Sequence, residues 1–196
     1  MKRSIDIVFS LFGLIILSPL LIIFLLLIWL QDFKSPLYIS LRVGKNGKLF
    51  KLYKFRSMIF NADISGVDST SNDDKRITSI GKVIRKFKID ELSQLFNVLI
   101  GNMSFVGPRP NVKYETDLYS KQEKRLLSIK PGITDFSSIV FSDEGSILAN
   151  SNDPDLKYNR IIRPWKSRLG LVYVENSGII LDIILIFLTA SPLSTP

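Results

Sequence analysis

An uncharged apolar run near the start of the chain is the feature that most constrains its fold. No charged residue lies between Ile7 and Leu30, and as a helix these roughly 24 positions would reach about 36 Å, enough to cross a bilayer. A signal peptide is a poor alternative, because the run is too long and no Ala-x-Ala-like site follows it. Residues 1–33 are therefore predicted to form a membrane helix, with one further domain over residues 34–196.

Two details favour a re-entrant helix over a simple span. Ser18 and Pro19 lie at the middle of the run, where proline removes one helical hydrogen bond and kinks the helix. Both flanks are basic, since Lys2 and Arg3 precede the run and residues 34–56 carry seven cations and no acid. A span would place one flank on the unfavoured side of the membrane. A helix that breaks at Ser18-Pro19 and returns to the same face avoids this, and a proline-kinked span is the alternative.

Composition restricts both the partners and the chemistry. The chain has a formal net charge of +8 and 46% hydrophobic residues, which favours an anionic membrane surface ahead of nucleic acid. It contains no cysteine and no histidine, which excludes thiol nucleophiles, Ser-His-Asp hydrolysis and zinc held by Cys or His. An enzyme built from this chain would use Asp, Glu, Lys, Ser, Thr or Tyr, and any metal would be a hard ion bound by oxygen.

Local patterns predict a small α/β domain after the membrane segment. Residues 37–58 have the pattern of two short strands around a turn at Lys45-Asn46-Gly47. The other predicted elements are, in order, a loop over residues 61–74 that closes over a substrate, a helix over 75–88, an exposed charged helix over 114–129, a strand over 133–141, a loop over 142–155 and an interfacial helix over 178–193. A buried core helix, with Asp182 as a satisfied structural carboxylate, is the alternative for the last segment.

The segment from Gly81 to Pro110 contains the densest group of residues suited to chemistry. Asp90 and Glu91 open an apolar helix pattern at Leu92, Leu95, Phe96 and Leu99, which Gly101 ends in the left-handed conformation. First-turn acids commonly do no more than complement the helix dipole. Here four cations precede the acids and the turn Gly107-Pro108-Arg109-Pro110 follows the helix. That context predicts a polyanion site beside a carboxylate nucleophile or metal ligand.

Two other basic groups are candidates for the same site. Lys54 and Arg56 lie two positions apart on a predicted strand, so they are expected on one face; headgroup contact and a solvated strand face are the alternatives. A second cluster contains Arg160, Arg163, Lys166 and Arg168, with Trp165 between them as an interface anchor or a stacking surface.

Taken in order, these motifs resemble those of a known family. They are Ser18-Pro19, Lys54-Phe55-Arg56-Ser57-Met58, Arg85, Asp90-Glu91-Leu92, Gln94 to Leu99, Gly101 to Pro110, and Lys130-Pro131-Gly132-Ile133-Thr134. The set is similar to that of the bacterial sugar transferases, the monotopic polyprenol-phosphate phosphoglycosyl transferases. The resemblance covers almost the whole chain and is nearest to the small members with a single catalytic domain.

This resemblance implies a two-step reaction at the cytoplasmic face of the bacterial inner membrane. A phosphosugar would pass from a UDP-sugar to polyprenol (undecaprenyl) phosphate with release of UMP, as the first membrane step of O-antigen, capsule or glycoprotein glycan assembly. Asp90 would attack the β-phosphorus to form a phosphosugar-aspartate, and Glu91 would hold Mg²⁺. The implied substrate-binding residues are Lys54, Arg56, Arg85, Pro108, Arg109, Pro110 and Thr134. The implied fold is α/β and monotopic, with interfacial helices on an anionic phospholipid membrane; a homodimer is left open.

One departure from the family pattern affects the donor site. After Thr134 the chain reads Asp135-Phe136-Ser137-Ser138, where relatives commonly reach a Gly-Arg-Asn segment, so one arginine is missing. Either Arg160 or Arg163 replaces it, or the donor is held differently, and the sugar that is accepted is left open. A catalytically silent membrane scaffold and a membrane-anchored nucleic-acid binder are rival interpretations, but no nucleic-acid motif is present.

Overall fold

The computed structural model describes residues 1–65, 70–71, 73–149 and 151–190. Its strands are β1 (Leu37–Val43), β2 (Leu49–Phe55), β3 (Ser104–Val106) and β4 (Gly132–Thr134). Its α-helices are α1 (Lys2–Asp32), α2 (Ser79–Lys86), α3 (Gln94–Ile100), α4 (Lys113–Asp117), α5 (Phe136–Val140), α6 (Glu144–Leu148), α7 (Pro154–Lys157), α8 (Arg163–Asn176) and α9 (Ile179–Ala190). This mixture confirms the predicted α/β class.

Helix α1 contains the whole apolar run without a non-helical residue at Ser18-Pro19. Pro19 cannot donate to the Ile15 carbonyl four positions earlier, and the Ser18 hydroxyl donates to that carbonyl instead, at 2.7 Å. The helix therefore continues through the predicted break, because the Ser18 hydroxyl occupies the Ile15 carbonyl that Pro19 leaves without a donor. Within the described ranges, α1 is the helix long and apolar enough to cross a membrane by length and composition. The re-entrant path stays a prediction.

One face of α1 packs on the rest of the protein, and both of its ends are attached. Asp6, Ser10 and Ile28 are buried, and Ile28 packs in a core cluster with Phe55 and Ile84. The opposite face is apolar and exposed; it includes Val8, Phe12, Ile15, Ile16 and Ile22. Such a continuous exposed apolar face is typical of a surface that lies in lipid.

Strands β1 and β2 form the predicted antiparallel hairpin, with Leu37 opposite Phe55 and Val43 opposite Leu49. Its turn is the 3₁₀ segment Lys45–Gly47, where Asn46 has φ 58°. The second edge of β2 is covered by a side chain, because the Asn97 amide accepts the Tyr53 N–H at 3.1 Å and donates to the Lys51 carbonyl at 2.7 Å. Asn97 therefore fixes helix α3 against the hairpin.

Helix α3 differs from its prediction in where it starts and which residues it buries. Asp90 and Glu91 do not open the helix but lie in a separate 3₁₀ turn, Ile89–Glu91, one turn earlier. Phe96 is 45% exposed, and the buried face contains Gln94 and Asn97 in addition to apolar residues. Gly101 ends the helix at φ 90°, as predicted.

Strands β3 and β4 pair in parallel, with Ser104 opposite Gly132 and Val106 opposite Thr134. Gly107, which follows β3, and Gly132, in β4, allow the two backbone segments to approach closely. A Cβ on Gly132 would lie 2.1 Å from the Gly107 nitrogen. The Gly107 N–H donates to the Thr134 carbonyl at 3.0 Å, and the Gly132 N–H donates to the Pro108 carbonyl at 3.1 Å. These bonds fix the turn that carries Arg109.

The predicted helix over residues 114–129 is wrong as one element. Helix α4 ends at Asp117, and a 3₁₀ helix runs from Glu123 to Ser128. A new helical segment begins at a capping box. In it the Glu123 N–H donates to the Ser120 hydroxyl at 3.2 Å, and the Ser120 N–H donates to the Glu123 carboxylate at 2.9 Å. Such a reciprocal pair favours a new helical start over continuation.

The predicted strand over residues 133–141 is also wrong beyond Thr134. Asp135 accepts the Ser138 N–H at 2.8 Å, which caps the short helix α5, and side-chain capping of this kind competes with a strand ladder. The predicted loop over 142–155 contains the short helix α6, with Pro154 as the first residue of α7.

Of two further predictions, for the helix over residues 75–88 and the loop over 61–74, only the first is confirmed. The helix expected over residues 75–88 is confirmed as the shorter α2, capped by the Thr78 hydroxyl, which accepts the Gly81 N–H at 2.9 Å. The substrate-closing loop at 61–74 includes positions 66–69 and 72, which lie outside the described residues, so its closure stays a prediction.

Helix α9 has one buried face and one exposed apolar face, and its position at a membrane interface stays a prediction. Leu185 and Asp182 are buried, whereas Ile180 is 78% and Phe187 72% exposed. Asp182 is a satisfied carboxylate, since Lys2 pairs with it at 2.6 Å and the Tyr173 hydroxyl donates to it. Positions 191–193 of the predicted segment lie outside the described residues.

Candidate active site

Two acids and two cations from three separate segments meet at one place. Strand β2 supplies Lys54, the Ile89–Glu91 turn supplies Asp90 and Glu91, and the turn after β3 supplies Arg109. The Arg109 guanidinium donates to Glu91 Oε1 through Nη2 and contacts Oε2 through Nη1 at 3.5 Å. Lys54 Nζ lies 3.5 Å from the same Oε1 atom. The two cations therefore share one carboxylate oxygen.

Asp90 differs from Glu91 in having no partner for its side chain. The Asp90 carboxylate forms no hydrogen bond or ion pair with any residue in the described ranges. Burial raises its pKa, the Lys54 charge opposes that rise, and the Glu91 charge adds to it. A desolvated, unpaired carboxylate with a raised pKa is more basic than a solvated one, as a carboxylate nucleophile requires.

Glu91 remains ionised because two cations lie against its carboxylate. Burial by itself would raise its pKa, but the charges of Arg109 and Lys54 outweigh that effect and lower the pKa to about 2. Burial lowers the pKa of Lys54 even beside Glu91, while Glu91 raises the pKa of Arg109. The resting site thus holds a fixed negative charge that two cations neutralise.

The donor set fits a hard divalent cation only with help from a substrate. The described residues hold no group of three or more His, Cys, Asp and Glu side chains placed to bind a metal ion. Asp90 is unpaired, and Glu91 Oε2 has only the 3.5 Å contact with Arg109. Magnesium is commonly bound by one or two carboxylates together with substrate phosphates and water, so these two residues suit it.

Three residues predicted for the site lie elsewhere or reach it less directly. Arg56 forms a two-pronged ion pair with Asp32, with both N–O distances 2.6 Å; strand β2 ends at Phe55, so the alternation that grouped Arg56 with Lys54 no longer applies. Arg85 acts on Asp90 through its charge, which lowers the pKa of that carboxyl. Arg160 is exposed.

Thr134 also faces away from the acids, because its hydroxyl lies 2.6 Å from that of Thr189 on α9. Pro108 and Pro110 flank Arg109 as predicted, and the bonds from Gly107 and Gly132 hold the turn in place. Whether these residues bind substrate stays a prediction.

Arg109 also lines a cleft whose other walls come from distant segments of the chain. This shallow, open cleft lies between the Pro108-Arg109 turn and helix α8, and its walls include Asp135, Tyr158, Arg163 and Lys166. The sequence analysis identified Arg163 but missed Asp135 and Tyr158. These residues come from distant segments, so no local pattern in the sequence could have grouped them.

The fold and this site define a membrane-associated α/β protein in which two carboxylates and two cations from separate segments meet at one place. The bacterial sugar transferase family model matches residues 1–195. The chain belongs to that family.

Relatives of known name agree with this assignment. The chain is 32% identical over 99% of its length to the UDP-N-acetylgalactosamine-undecaprenyl-phosphate N-acetylgalactosaminephosphotransferase of Aeromonas hydrophila, of which it covers 44%. It is 38% identical over 97% of its length to the undecaprenyl-phosphate galactose phosphotransferase of Salmonella typhimurium, covering 40%. It is 38% identical over 95% of its length to the exopolysaccharide production protein PSS of Rhizobium leguminosarum, covering 92%. The chain therefore spans less than half of the first two relatives.

Proposed function

We propose that this chain transfers a sugar phosphate from a UDP-sugar to polyprenol phosphate, through a covalent intermediate on Asp90. The observation that carries the proposal is the half-buried Asp90 carboxylate, which pairs with no described residue and lies beside Glu91, Lys54 and Arg109. The names of the Aeromonas and Salmonella relatives, which specify undecaprenyl phosphate and a transferred sugar phosphate, support the same reaction class.

In the first step, a carboxylate oxygen of Asp90 forms a bond to the sugar-linked phosphorus of the donor. The bond from that phosphorus to the bridging oxygen breaks, and its electron pair leaves with UMP. The raised pKa of Asp90 reflects a carboxylate that gains little from solvation, which favours attack. Lys54 and Arg109 lie where they can offset the negative charge of the diphosphate.

In the second step, a phosphate oxygen of polyprenol phosphate attacks the phosphorus of the acyl phosphate. The bond between phosphorus and Asp90 breaks and returns the free carboxylate, leaving a polyprenyl diphosphate sugar. No proton transfer is essential to either displacement, which is consistent with a chain that has no histidine.

Arg109 has to change partners during this cycle. In the resting site its guanidinium is neutralised by Glu91, so contact with the donor requires it to share or leave that carboxylate. Glu91 and Asp90 would hold Mg²⁺, which when bound supplies positive charge against the donor diphosphate. Arginine suits the exchange, because its planar fork matches carboxylate and phosphate oxygens equally well.

We also propose that α1 is re-entrant and that the site faces the cytoplasm, at the inner membrane. Lys2 at one end of α1 donates to Asp182 and to the Val106 carbonyl, and Asp32 at the other end pairs with Arg56. Both ends therefore contact the same domain. An arrangement with the two ends on one side of the bilayer keeps all of these contacts, and the exposed apolar face between the ends supplies the lipid-facing surface.

The test is UMP release by the purified protein in nanodiscs, with Mg²⁺, undecaprenyl phosphate and a panel of UDP-sugars. We expect Asp90→Ala to abolish release because it removes the nucleophile. We expect Glu91→Gln to reduce release at least about a hundredfold, because it removes the charge that would hold Mg²⁺ against the diphosphate. Asp117→Asn is the matched control, because Asp117 is an exposed carboxylate on α4 and its loss should leave release unchanged.

A radiolabelled sugar phosphate retained by the wild type, but not by Asp90→Ala, would identify the covalent intermediate when polyprenol phosphate is omitted. Release that survives in Asp90→Ala would exclude Asp90 as the nucleophile. No release from any donor would favour the alternative, a catalytically silent membrane scaffold.

A further inference from the structure

The ammonium group of Lys2 is held by three oxygen atoms where the N-terminal end of α1 meets α8, α9 and β3. Its Nζ atom donates to Asp182, to the Tyr173 hydroxyl and to the Val106 carbonyl, at 2.6, 2.8 and 2.9 Å. An ammonium group has three donor hydrogens, so all of them are in use. Charge neutralisation by Asp182 would need only one of these bonds. The bond to the Val106 carbonyl therefore indicates a second role for Lys2.

The Val106 carbonyl lies at the end of β3, three residues before Arg109. The peptide group between Val106 and Gly107 is held on both sides. Its carbonyl accepts from Lys2, and its N–H donates to the Thr134 carbonyl at 3.0 Å. Lys2 therefore fixes the backbone at the point where the turn that carries Arg109 begins.

The turn between Gly107 and Arg109 has little freedom to absorb a shift of β3. The Pro108 ring fixes its own φ angle, and the Pro108 carbonyl accepts the Gly132 N–H at 3.1 Å. The backbones also pack closely, because a Cβ on Gly107 would lie 2.4 Å from the Lys130 carbonyl oxygen. Closely packed segments transmit displacements. A change at the end of β3 should therefore reach Arg109.

The position of Arg109 matters because its guanidinium contacts Glu91. Burial by itself would raise the pKa of the Glu91 carboxyl, and the Arg109 charge lowers that pKa more than any other neighbouring charge does. Burial likewise raises the pKa of Asp90, and Lys54 and Arg109 are among the charges that oppose the rise. A displaced Arg109 would therefore alter the ionisation of both acids.

The second strand beneath the turn is tied to the same helix as Lys2. The Thr134 hydroxyl, at the end of β4, lies 2.6 Å from the Thr189 hydroxyl of α9. Lys2 is paired with Asp182 near the start of α9. Helix α9 is thus connected to the ends of both β3 and β4, between which the Arg109 turn is bonded.

We infer that Lys2 is a positioning residue for the reaction. Held by Asp182 and Tyr173, its ammonium group fixes the Val106 carbonyl and thereby directs Arg109 toward Glu91. The inference rests on the proposed function for the importance of Arg109 in turnover, but the position of Arg109 can be measured without turnover. It gives the first turn of α1 a role in the active site in addition to its role in attaching the helix.

Chemical modification of Arg109 tests the inference in the absence of any substrate. Phenylglyoxal reacts slowly with a guanidinium that is paired with a carboxylate, and mass spectrometry of peptides identifies the modified residue. In the full chain in nanodiscs, we expect Lys2→Met to speed the reaction of Arg109 by about threefold to tenfold, the effect of one ordinary hydrogen bond on an equilibrium. Arg125 is exposed and serves as the internal reference, so its rate should not change.

Arg3→Met is the matched control. Arg3 lies on the same turn of α1 and donates to the Val98 and Leu99 carbonyls at 2.6 and 2.7 Å. Its loss weakens the attachment of the same end of α1 but leaves the Val106 carbonyl with its donor. We expect Arg3→Met to lower the midpoint of thermal unfolding, while Arg109 reacts at its wild-type rate.

Two further variants separate the position of Arg109 from the stability of the protein. The double variant Lys2→Met with Asp182→Asn removes the unpaired charge, so stability should recover in part. Val106 still lacks the Lys2 donor, and Arg109 should stay reactive. Lys2→Arg keeps a cation that can donate to Val106, so it should return the Arg109 reaction toward its wild-type rate.

Tyr173→Phe takes the place of Lys2→Met if that variant does not fold. It removes the hydroxyl that accepts from Lys2 at nearly constant side-chain volume, so Lys2 is held less firmly. We expect Arg109 to react faster than in the wild type, but by less than in Lys2→Met.

The pH profile of UMP release provides a second readout. Burial raises the pKa of Asp90 and Arg109 opposes the rise. Displacement of Arg109 in Lys2→Met should therefore move the acid limb of the kcat profile to higher pH, by about half a unit. Arg3→Met should leave the acid limb in place, because a loss of stability lowers the active fraction without changing the pKa.

Three results would overturn the inference. The first is an unchanged rate of Arg109 modification in both Lys2→Met and Tyr173→Phe. The second is an equal increase in Arg3→Met, which would reduce the role of Lys2 to stability. The third is a wild-type rate in the double variant, which would assign the effect to the unpaired charge. Faster modification of Arg109 in Lys2→Met, in a protein that releases no UMP from any donor, would support the inference while the proposed function fails.

Discussion

Asp90 and Glu91 are neighbours in the chain, yet their surroundings drive their carboxyl pKa values in opposite directions. Arg109 and Lys54 both reach Glu91, whose carboxyl pKa falls to about 2. Asp90 has no direct partner among the residues that the structure describes, and its pKa rises. Two carboxylates with separated pKa values are suited to two different roles. The division matches a permanently charged Glu91 and a nucleophilic Asp90.

The pH dependence of UMP release should report on this division. Asp90 attacks only when ionised, so release should fall as pH decreases through its raised pKa, above the usual aspartate value of about 3.9. Lys54 is the group that most opposes the rise. We therefore expect Lys54→Met to move the acid limb of the kcat profile to higher pH by about one unit, or about 1.4 kcal/mol.

Lys51→Met, which removes an exposed cation from the same strand, should leave the acid limb in place. An acid limb that does not move in Lys54→Met would show that another group titrates.

The convergence of Asp90, Glu91, Lys54 and Arg109 was predictable at the residue scale, because each stands in a motif that the resemblance covers. The departure of Arg56 was not, since one residue decides it: β2 ends at Phe55, and Arg56 turns to Asp32 on a helix 24 positions earlier. The cleft at Arg163 was equally unpredictable, because its walls meet only in three dimensions.

At the scale of elements, the sequence predicted correctly those helices and turns that have clear apolar periodicity or a glycine at the turn. It did not predict where single side-chain caps end an element. The hairpin turn, the Gly101 end of α3 and the long helix α1 follow from backbone preferences and apolar periodicity. The breaks after Asp117 and Thr134 depend on single side-chain caps, at Ser120 and Asp135. Such caps compete with propensity by about 1 kcal/mol each, too little to stand out in a sequence.

The attachment of α1 to α9 is the contact between elements that is most open to measurement. Lys2 Nζ donates to Asp182, to the Tyr173 hydroxyl and to the Val106 carbonyl, at 2.6, 2.8 and 2.9 Å. Lys2→Met leaves Asp182 buried without its cation, and we expect a loss of about 3 kcal/mol in the free energy of unfolding. Chemical denaturation in detergent measures it.

The double variant Lys2→Met with Asp182→Asn should recover part of that loss, because it removes the unpaired charge. Lys113→Met is the control, since the Lys113–Asp117 pair is exposed and should contribute no more than about 0.5 kcal/mol. Equal losses from Lys2→Met and Lys113→Met would contradict a structural role for the Lys2–Asp182 pair.

At the scale of the whole molecule, the two ends of α1 decide the topology. Because the natural chain has no cysteine, single cysteines at Ser4 and Lys34, which are both exposed, can be labelled with a membrane-impermeant reagent in inverted vesicles. We expect both to react from the cytoplasmic side. Labelling from opposite sides would exclude the re-entrant path, and unchanged labelling in Pro19→Ala would show that proline does not set the path.

The ion pair between Lys2 and Asp182 also affects the order in which the protein can assemble. The two residues are 180 positions apart, so α1 is synthesised long before the residue that anchors its Lys2 end. Domains form during synthesis largely as their segments emerge. Helix α1 therefore emerges while its docking surface is still incomplete, and its final attachment can occur only after α9 has left the ribosome.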